Sequence, residues 1–290
     1  MIQYLYTSVS GVKVDVLRLD ALDSLAPGNK WFKLLPNIAA AENARAPGIL
    51  SFGGAYSNHL HALAAVGCAK GIATIGCVRA DANVQLTPTL QDAKDWGMSL
   101  HYLSRSDYRR RGDAEFIAEL RAQYPNTYII PEGGANALGA HGCGSIVDLI
   151  PTAGQSYVAI VLACGTGTTL AGVASKIADG VKVIGIPVLK AEKFMASDIA
   201  ILLSELGGDR GNWQLDHRFH GGTYARLPQY MAEYMTVFER RQNVLLDPVY
   251  TAKAAYAVQY MVDNNEFDPG GRVLLVHTGG LQGRRGYGLD

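Results

Sequence analysis

The sequence has few cysteines, and their positions argue against the kinds of protein that depend on them. Four occur in 290 residues, Cys68, Cys77, Cys143 and Cys164, and no two form a CxxC pair. They stand in apolar or glycine-rich stretches, which is typical of reduced thiols and not of a disulfide framework or a zinc site. We therefore expect no bound metal and a reducing compartment, the cytoplasm.

Net charge and long apolar runs are also missing. Lys plus Arg and Asp plus Glu both number 26, so the chain offers no basic field to attract nucleic acid or anionic lipid. No apolar run reaches the ~18 residues of a membrane helix, and residues 1–16 lack the basic start and apolar core of an export signal. We expect a soluble protein with a small ligand and with no nucleic-acid or membrane partner.

Apolar content and its spacing are informative. At 290 residues and 48% hydrophobic content, the chain is longer than one core usually supports, so we expect two lobes. Apolar runs at 49–52 and 72–78 flank a helical pattern, and runs at 157–163 and 182–186 flank another. Each set predicts a strand-helix-strand unit with parallel pairing.

Glycine-rich turns follow four predicted strands. Two of these strands belong to the units above, and the others are predicted at 128–130 and 273–276; the turns lie at 53–59, 131–134, 165–169 and 277–280. Because open parallel sheets bind ligands outside the carboxyl ends of their strands, we expect the four turns to line one cleft. The more charged segment 80–121 is predicted to form helices that face solvent.

One of these turns is suited to a phosphate group. It consists of Gly165, Thr166, Gly167, Thr168 and Thr169, directly after an apolar run. Backbone amides at a helix start, supplemented by threonine hydroxyls, hold a dianion without lysine or arginine. The alternative is an ordinary turn with a threonine cap. A dinucleotide site is weakly supported, because Leu170 occupies the third glycine position of GxGxxG, and no Walker lysine follows.

Lys30 is the candidate for a covalent bond to the ligand. It lies between Asn29 and the bulky pair Trp31-Phe32, an environment that would partly desolvate the amine and lower its pKa. A solvated surface lysine is the usual alternative, and Lys33 is a nearby competitor. A lysine forms an imine with an aldehyde, so Lys30 and the phosphate-type turn together predict pyridoxal phosphate, which carries both groups on one ring.

Ser57, Asn58 and His59 form a second polar turn after Gly53-Gly54. Their amides and side chains are suited to a substrate carboxylate and to the ring hydroxyl of the cofactor. The alternative is a helix capped by Ser57 or Asn58, with His59 on the surface. Tyr224 and Tyr250 are two of fifteen tyrosines, and spacing alone gives them no role.

With these residues identified, the chain resembles the family of 1-aminocyclopropane-1-carboxylate deaminase and D-cysteine desulfhydrase. The resemblance spans nearly the whole chain, and seven ordered segments carry it: GNKWFKL around Lys30, SFGGAYSNH at 51–59, PEGGANALG at 131–139, GTGTTLAG at 165–172, RFHGGTY ending at Tyr224, DPVYTAK at 247–253 and HTGG at 277–280. These family members are pyridoxal phosphate enzymes with the tryptophan-synthase-β fold, or fold type II.

The resemblance implies an architecture. It is an α/β fold with two open, twisted, mostly parallel sheets flanked by helices. Residues 1–34 and 136–290 would form a large cofactor-binding domain, and residues 35–135 a small domain. The family resemblance also implies a homodimer.

The resemblance also implies a role for each matched residue. Lys30 would hold the cofactor as an imine and later remove the substrate's Cα proton. Asn58 would bond the ring hydroxyl, residues 165–169 would hold the phosphate, and Ser57, Asn58 and His59 would receive the substrate carboxylate. Tyr224 and Tyr250 match the active-site tyrosines, with the roles of acid, base and nucleophile left open between them.

Three positions bear on the reaction and the substrate. Thr251 replaces a glutamate of deaminase-type members and Thr278 replaces a leucine. A hydroxyl beside the ring nitrogen leaves the cofactor a weaker electron sink than a carboxylate does, which favours β-elimination over cyclopropane opening. Tyr56 stands where glutamine is common in the family and would reshape the substrate pocket, which leaves open a natural substrate that is neither namesake of the family.

The sequence therefore predicts a cytoplasmic pyridoxal phosphate lyase that acts on a small amino acid. The preferred reaction is D-cysteine desulfhydrase-like elimination to pyruvate, sulfide and ammonia. The alternatives are a 1-aminocyclopropane-1-carboxylate deaminase and a non-catalytic protein that binds the cofactor or an amino acid. An enzyme is favoured by intact Lys30, Ser57, Asn58 and both matched tyrosines, because binding alone requires no imine-forming lysine.

Overall fold

Two separate β-sheets form the framework of the protein. A computed structural model describes residues 1–22, 24–80, 85–151, 157–190, 194–222 and 225–289. The strands are β1 Ile2–Thr7, β2 Lys13–Arg18, β3 Gly48–Gly54, β4 Ala73–Arg79, β5 Ser99–Leu103, β6 Tyr128–Ile129, β7 Ala159–Cys164, β8 Lys182–Pro187, β9 Trp213–Leu215 and β10 Arg272–His277. The helices are α1 Asn29–Asn43, α2 Asn58–Lys70, α3 Pro88–Asp95, α4 Arg105–Arg109, α5 Ala114–Gln123, α6 Ala137–Gly144, α7 Thr168–Lys176, α8 Met195–Glu205, α9 Gln229–Gln242 and α10 Thr251–Asp263.

The larger sheet has six strands in the order β1-β2-β10-β7-β8-β9, and the smaller has four in the order β5-β4-β3-β6. β1 and β2 are antiparallel, and the other strand pairs are parallel. Both predicted strand-helix-strand units are present, as β3-α2-β4 and β7-α7-β8. The predicted α/β fold with two mostly parallel sheets is confirmed.

The central strand β7 explains why its sequence is apolar without interruption. Ala159, Val161 and Ala163 face a core formed with α9 and α10, whereas Ile160 and Leu162 face a core formed with α6, α7 and α8. All six residues of β7 are buried. Helices therefore cover both faces of the larger sheet, as parallel sheets require.

The segment 80–121 was predicted as solvent-facing helices, and this prediction is wrong in part. α3, α4 and α5 are present, but β5 lies between α3 and α4. Among the described strands, β5 pairs with β4 alone, at the edge of the smaller sheet, and four of its five residues are partly or fully accessible. An edge strand of this kind carries no continuous apolar run, so its sequence resembled the flanking helices. Residues 81–84 of the segment lie outside the described part of the chain.

The proposed division into domains stays a prediction. The smaller sheet is formed entirely by residues between 48 and 129, but the predicted boundary at residues 34 and 35 falls within α1. Within the described ranges, no helix has both the length and the apolar character needed to cross a bilayer.

Candidate active site

A cleft of about 2480 Å³ opens at the carboxyl ends of the parallel strands. Its walls include Gly54 at the end of β3, Gly133 after β6, Gly165 after β7 and Thr278 after β10. The four turns thus meet as predicted. The volume exceeds the ~300–1000 Å³ of an ordinary small-ligand pocket, so there is room for a cofactor and a substrate together.

The start of α1 is pressed against the turn after β10, and this contact places Lys30 in the cleft. Gly28 precedes the helix with φ 109°, and a Cβ at this position would lie 2.5 Å from the carbonyl oxygen of Thr278. The Asn29 amide donates to the same carbonyl at 3.0 Å. Because only glycine permits both this backbone angle and this approach, Gly28 fixes where Lys30 emerges.

The Lys30 amine is set up as a nucleophile at neutral pH. Its Nζ donates to Asn29 Oδ1 at 2.9 Å and lies 6.0 Å from the centre of the Tyr250 ring. Burial, followed by the charge of Lys33, lowers the pKa of Lys30 from 10.5 to about 7. Asp247 opposes this shift. A large fraction of the amine is therefore unprotonated near pH 7.

Lys33, the competitor noted in the sequence, follows one turn later on α1. Its side chain is 4% exposed, and its Nζ donates to the carbonyl oxygen of Gly133 at 3.1 Å. Burial lowers the pKa of Lys33 as well. Lys30 is partly accessible as a residue whereas Lys33 is buried, and among the described residues only the Lys33 amine is bonded to a backbone carbonyl, which favours Lys30 as the attachment point.

The predicted phosphate turn is connected directly to the lysine turn. The Asn29 side-chain amide donates to Thr169 Oγ1 at 2.8 Å. Thr166 Oγ1 lies 2.8 Å from Thr168 Oγ1, and Gly167 precedes α7 in the left-handed conformation, with φ 75°. Thr168 is fully buried, whereas residues 165–167 and Thr169 line the cleft.

These residues fit pyridoxal phosphate. The first amides of α7 have no acceptor within their own helix, and glycine at 165 and 167 leaves their backbone uncovered by a Cβ. The Tyr250 ring covers one side of the turn, since a Cβ at Gly165 would lie 3.2 Å from its Cε1 atom. The predicted phosphate turn and the Lys30 amine therefore both lie beside the Tyr250 ring.

The turn after β3 caps a helix and also lines the cleft. Ser57 Oγ accepts the Leu60 amide at 3.2 Å, which confirms the alternative that Ser57 is the N-cap of α2. Asn58 Oδ1 accepts from the side-chain amide of Gln282, in the turn after β10. Ser57 and Asn58 remain partly accessible in the cleft wall, so the cap does not exclude a substrate role.

His59 differs from the surface residue of that alternative. It is 2% exposed, and its Nε2 lies 2.9 Å from Ser51 Oγ. Among the described residues, its Nδ1 has no hydrogen-bond partner. Burial, followed by the charges of Lys30 and Lys33, lowers the pKa of His59 to about 3, so the ring is neutral at physiological pH. A substrate carboxylate that bound beside His59 would therefore meet a neutral imidazole and not a positively charged one.

The three tyrosines have different positions. Tyr250 lines the cleft beside Lys30. Tyr56 is 44% exposed at the cleft mouth, with its ring packed on Gly286. Tyr224 lies outside the described residues.

Thr278 lines the cleft, as the sequence predicted, whereas Thr251 does not. Thr278 is 6% exposed and lines the cleft, with its carbonyl bonded to Asn29. Thr251 is fully buried at the start of α10, where its Oγ1 accepts the Asp247 amide at 2.6 Å. The side chain of Thr251 is not part of the cleft wall.

Asp247 is a cleft residue to which the sequence analysis gave no role. It is 1% exposed, and its Oδ1 accepts the amides of Val249 and Tyr250. Burial raises the pKa of Asp247 to about 7, although these amides lower it. A Cβ at Gly280 would lie 2.7 Å from Asn58 Nδ2 and 3.4 Å from Asp247 Cγ, so the two side chains flank Gly280. Asp247 is the first residue of the segment DPVYTAK, and this position could have identified it from the sequence.

Comparison with known proteins agrees with this geometry. The D-cysteine desulfhydrase of Yersinia pestis (strain Pestoides F) is 24% identical over 93% of this chain and 87% of its own length. The mitochondrial bifunctional D-cysteine desulfhydrase/1-aminocyclopropane-1-carboxylate deaminase of Arabidopsis thaliana is 27% identical over 94% of this chain and 74% of its own length. The crystal structure of an ACC deaminase homologue superposes with a TM-score of 0.86 at 28% identity, over 99% of this chain and 91% of that chain.

These likenesses confirm the predicted fold type II architecture. The model of the family described as "Pyridoxal-phosphate dependent enzyme" matches residues 16–279, which include Lys30, three turns of the cleft and all but the last residue of the fourth. The chain therefore belongs to the family of pyridoxal-phosphate dependent enzymes, and pyridoxal phosphate is its cofactor.

Proposed function

We propose that the protein is a pyridoxal phosphate lyase that eliminates the β-substituent of a small amino acid, with D-cysteine as the preferred test substrate. D-cysteine and one water would give pyruvate, sulfide and ammonia. The observation that carries the proposal is the Lys30 amine, with its pKa lowered to about 7, connected through Asn29 to the phosphate-type turn. The two relatives named as D-cysteine desulfhydrases support the choice of reaction.

The residues proposed to hold the cofactor lie on three elements. Lys30 on α1 would attach it, residues 165–169 at the start of α7 would hold its phosphate, and Asn58 on α2 would bond its ring hydroxyl. Asn58 is already oriented by Gln282, so this contact requires little reordering. When bound, the cofactor supplies an electron-withdrawing ring that stabilises negative charge at the substrate Cα.

Lys30 is proposed to carry the Cα proton. A base works best when its pKa lies near the working pH, and the cleft gives Lys30 such a value. Asp247 and Tyr250 are proposed to support this step from either side. Asp247 places a carboxylate close enough to influence the Lys30 charge, and the Tyr250 ring limits where a substrate can lie.

The substrate carboxylate is proposed to bind at the start of α2. Asn58 and His59 present their backbone amides at the positive end of this helix, where an anion is favoured. The Ser57 amide donates to the Gly54 carbonyl, so Ser57 would contribute its hydroxyl. The neutral His59 ring would contribute shape and not charge. Tyr56 at the mouth would limit the size of the substrate side chain.

The preference for elimination over cyclopropane opening follows from the threonines at positions 251 and 278. Thr278 lines the cleft, whereas Thr251 is buried behind the cleft wall, so neither residue would bring a carboxylate to the ring nitrogen, and a neutral nitrogen withdraws electrons less strongly. Asp247, the carboxylate of this region that does line the cleft, flanks Gly280 with Asn58. The Arabidopsis relative is named for both reactions, so cyclopropane opening is the second candidate.

Turnover of the two substrates by the purified holoprotein tests the proposal. D-cysteine should yield pyruvate and sulfide faster than 1-aminocyclopropane-1-carboxylate yields its keto acid and ammonia. Lys30→Ala should abolish both activities. Faster opening of the cyclopropane would overturn the choice of reaction, and a wild-type holoprotein inactive on both substrates and on β-chloroalanine would overturn the enzyme assignment.

A cytoplasmic location, a homodimer and the two-domain division at residues 34/35 and 135/136 are part of the same proposal. The location is supported by the thiols: all four cysteines are free, and Cys77, Cys143 and Cys164 are buried. The domains are supported by the confinement of the smaller sheet to residues 48–129. Sedimentation of the holoprotein as a monomer would contradict the dimer.

A further inference from the structure

One wall of the cleft is rich in arginine, although the chain as a whole has no net charge. Arg79 ends β4, Arg105 and Arg109 lie on α4, and Arg111 follows α4; all four line the cleft. Among the described residues on this wall, formed by β4, α4 and the turn after β6, the carboxylate is that of Glu132. The positive charge of this wall therefore comes from its four arginines and not from a basic overall composition.

Arg79 is placed beside the proposed carboxylate site. It pairs with Gly54 across the two adjacent parallel strands, and its Nη2 lies 4.0 Å from where a Cβ of Gly54 would be. The carbonyl oxygen of Gly54 accepts the Ser57 amide at 3.0 Å. Neighbouring strands are about 4.8 Å apart, so the Arg79 guanidinium is within one strand spacing of the turn that leads to Ser57.

A partly exposed network of hydrogen bonds positions the arginines around the buried Tyr108 ring. The Tyr108 hydroxyl donates to Glu132 Oε1 at 2.6 Å, and Arg111 Nε donates to Glu132 Oε2 at 2.6 Å. Tyr108 is 4% exposed, and the Arg111 and Arg79 guanidinium carbons lie 4.9 Å and 5.7 Å from its ring centre. The ring thus supports both cations, while the carboxylate of Glu132 is shared by Arg111 and Tyr108.

The guanidinium N–H groups of Arg79 are available as hydrogen-bond donors to a ligand. In the described ranges, no carboxylate lies within ion-pair distance of Arg79, Arg105 or Arg109. Guanidinium groups bind carboxylate, sulfonate and phosphate through paired N–H donors. The proposed cofactor phosphate has its own turn at residues 165–169, after a strand of the other sheet, so the phosphate does not require this wall.

We propose that this arginine wall selects amino acids whose β-substituent is an oxyanion, a sulfonate or a phosphate ester, with Arg79 as the principal specificity-determining residue. This inference rests on the proposed elimination. The Cα proton passes to the protein base, the Cβ–X bond breaks, and X leaves with the electron pair as sulfite or phosphate. The aminoacrylate then takes up one water and gives pyruvate and ammonia.

The arginines would act when the substrate binds. A sulfonate or a phosphate ester brings negative charge to the wall before the Cβ–X bond breaks, and the guanidinium groups would hold it by charged hydrogen bonds. Every leaving group takes the same electron pair when this bond breaks, so the departure of X does not itself distinguish a sulfonate from chlorine. A neutral substituent lacks the initial charge, and the discrimination therefore falls mainly on KM.

Turnover of matched substrates tests the inference. The probes are both enantiomers of cysteine-3-sulfonate and of O-phosphoserine, with β-chloroalanine as the substrate that has a neutral substituent. We expect kcat/KM for at least one oxyanion substrate to exceed that for D-cysteine by roughly tenfold or more. The sulfonate and phosphate series show which of the two oxyanions fits the wall.

Variants then assign the effect to Arg79. Arg79→Gln should lower kcat/KM for the preferred oxyanion roughly tenfold more than for β-chloroalanine, mainly through KM, and Arg79→Lys should recover part of the loss. Arg110→Gln is the matched control, because Arg110 lies in the same segment but pairs with Glu119 outside the cleft wall. Calorimetric binding of inorganic sulfate to the holoprotein should weaken in Arg79→Gln and not in Arg110→Gln.

The outcomes separate this inference from the proposed function. If β-chloroalanine is eliminated but no oxyanion substrate exceeds D-cysteine, the inference is overturned and the lyase assignment stands. Equal losses for β-chloroalanine and the oxyanion in Arg79→Gln would also overturn it, since they would indicate a structural role. If no substrate yields pyruvate, the proposed function itself is overturned.

Discussion

Capture of pyridoxal phosphate by the apoprotein should follow the titration of Lys30. With a pKa of about 7, the unprotonated fraction of this amine is roughly one-eleventh at pH 6 and ten-elevenths at pH 8. Because the unprotonated amine is the nucleophile, the rate should rise about tenfold over this interval and then level off. An ordinary lysine of pKa about 10.4 would give about a hundredfold rise over the same interval and no plateau before pH 10.

Stopped-flow absorbance after mixing apoprotein with cofactor measures this rate. A parallel series with a small primary amine of known pKa corrects for the titration of the cofactor itself. A wild-type rate that still rises tenfold per pH unit between pH 8 and 9.5 would refute the lowered pKa of Lys30 and with it the role of burial in activating this amine.

Lys33→Met tests one cause of the shift. Lys33 lies one turn from Lys30 and lowers its pKa by charge repulsion, so its removal should move the midpoint upward by about one pH unit, or about 1.4 kcal/mol. Lys70→Met is the control, because Lys70 is an exposed lysine paired with Glu42 on another helix. An unchanged midpoint in Lys33→Met would show that burial alone sets the pKa.

Three further variants test the framework of the site. Thr169→Val leaves the Asn29 amide without its acceptor, so the apoprotein should lose about 1–3 kcal/mol of unfolding free energy and capture cofactor more slowly; wild-type values in denaturant and capture assays would contradict this. Asp247→Asn should flatten the pH profile of unfolding free energy. Burial raises the pKa of Asp247 from 3.8 to about 7. Between these two pH values the native state holds a proton that the unfolded chain releases. The contribution of Asp247 to the unfolding free energy of the wild type therefore falls as the pH rises from about 4 to about 7. Parallel profiles would refute the raised pKa. Thr251→Val removes the acceptor of the Asp247 amide and should cost about 1–3 kcal/mol by chemical denaturation, whereas an unchanged midpoint would show that this bond is not needed.

Much of the fold was predicted from sequence patterns that depend on the burial and turn geometry of a single segment. The apolar runs of β3, β7 and β10 and the glycines after them are determined by burial on both faces and by close turns, so they could be read directly. β1 and β5 could not, because each is an edge strand with mostly accessible residues and no buried run. Their positions depend on pairing partners that the local sequence does not specify.

The site shows the same distinction. Lys30 and the Gly165 turn were identified from their neighbours, and they do meet. The burial of His59 depends on Ser51 of the preceding strand, and the cleft position of Asp247 depends on Gly280 and Asn58. Such long-range contacts leave little trace in a single sequence, which is why His59 was misplaced in one alternative and Asp247 was given no role.

The identity of the lysine that carries the cofactor is the most direct test of this account. Holoprotein reduced with borohydride, digested and analysed by mass spectrometry should carry the phosphopyridoxyl group on Lys30. Lys30→Ala should remain folded by circular dichroism and carry no label. A label on the buried Lys33, a label on Lys253, which is fully buried on α10, or a labelled Lys30→Ala variant would contradict the assignment of the site.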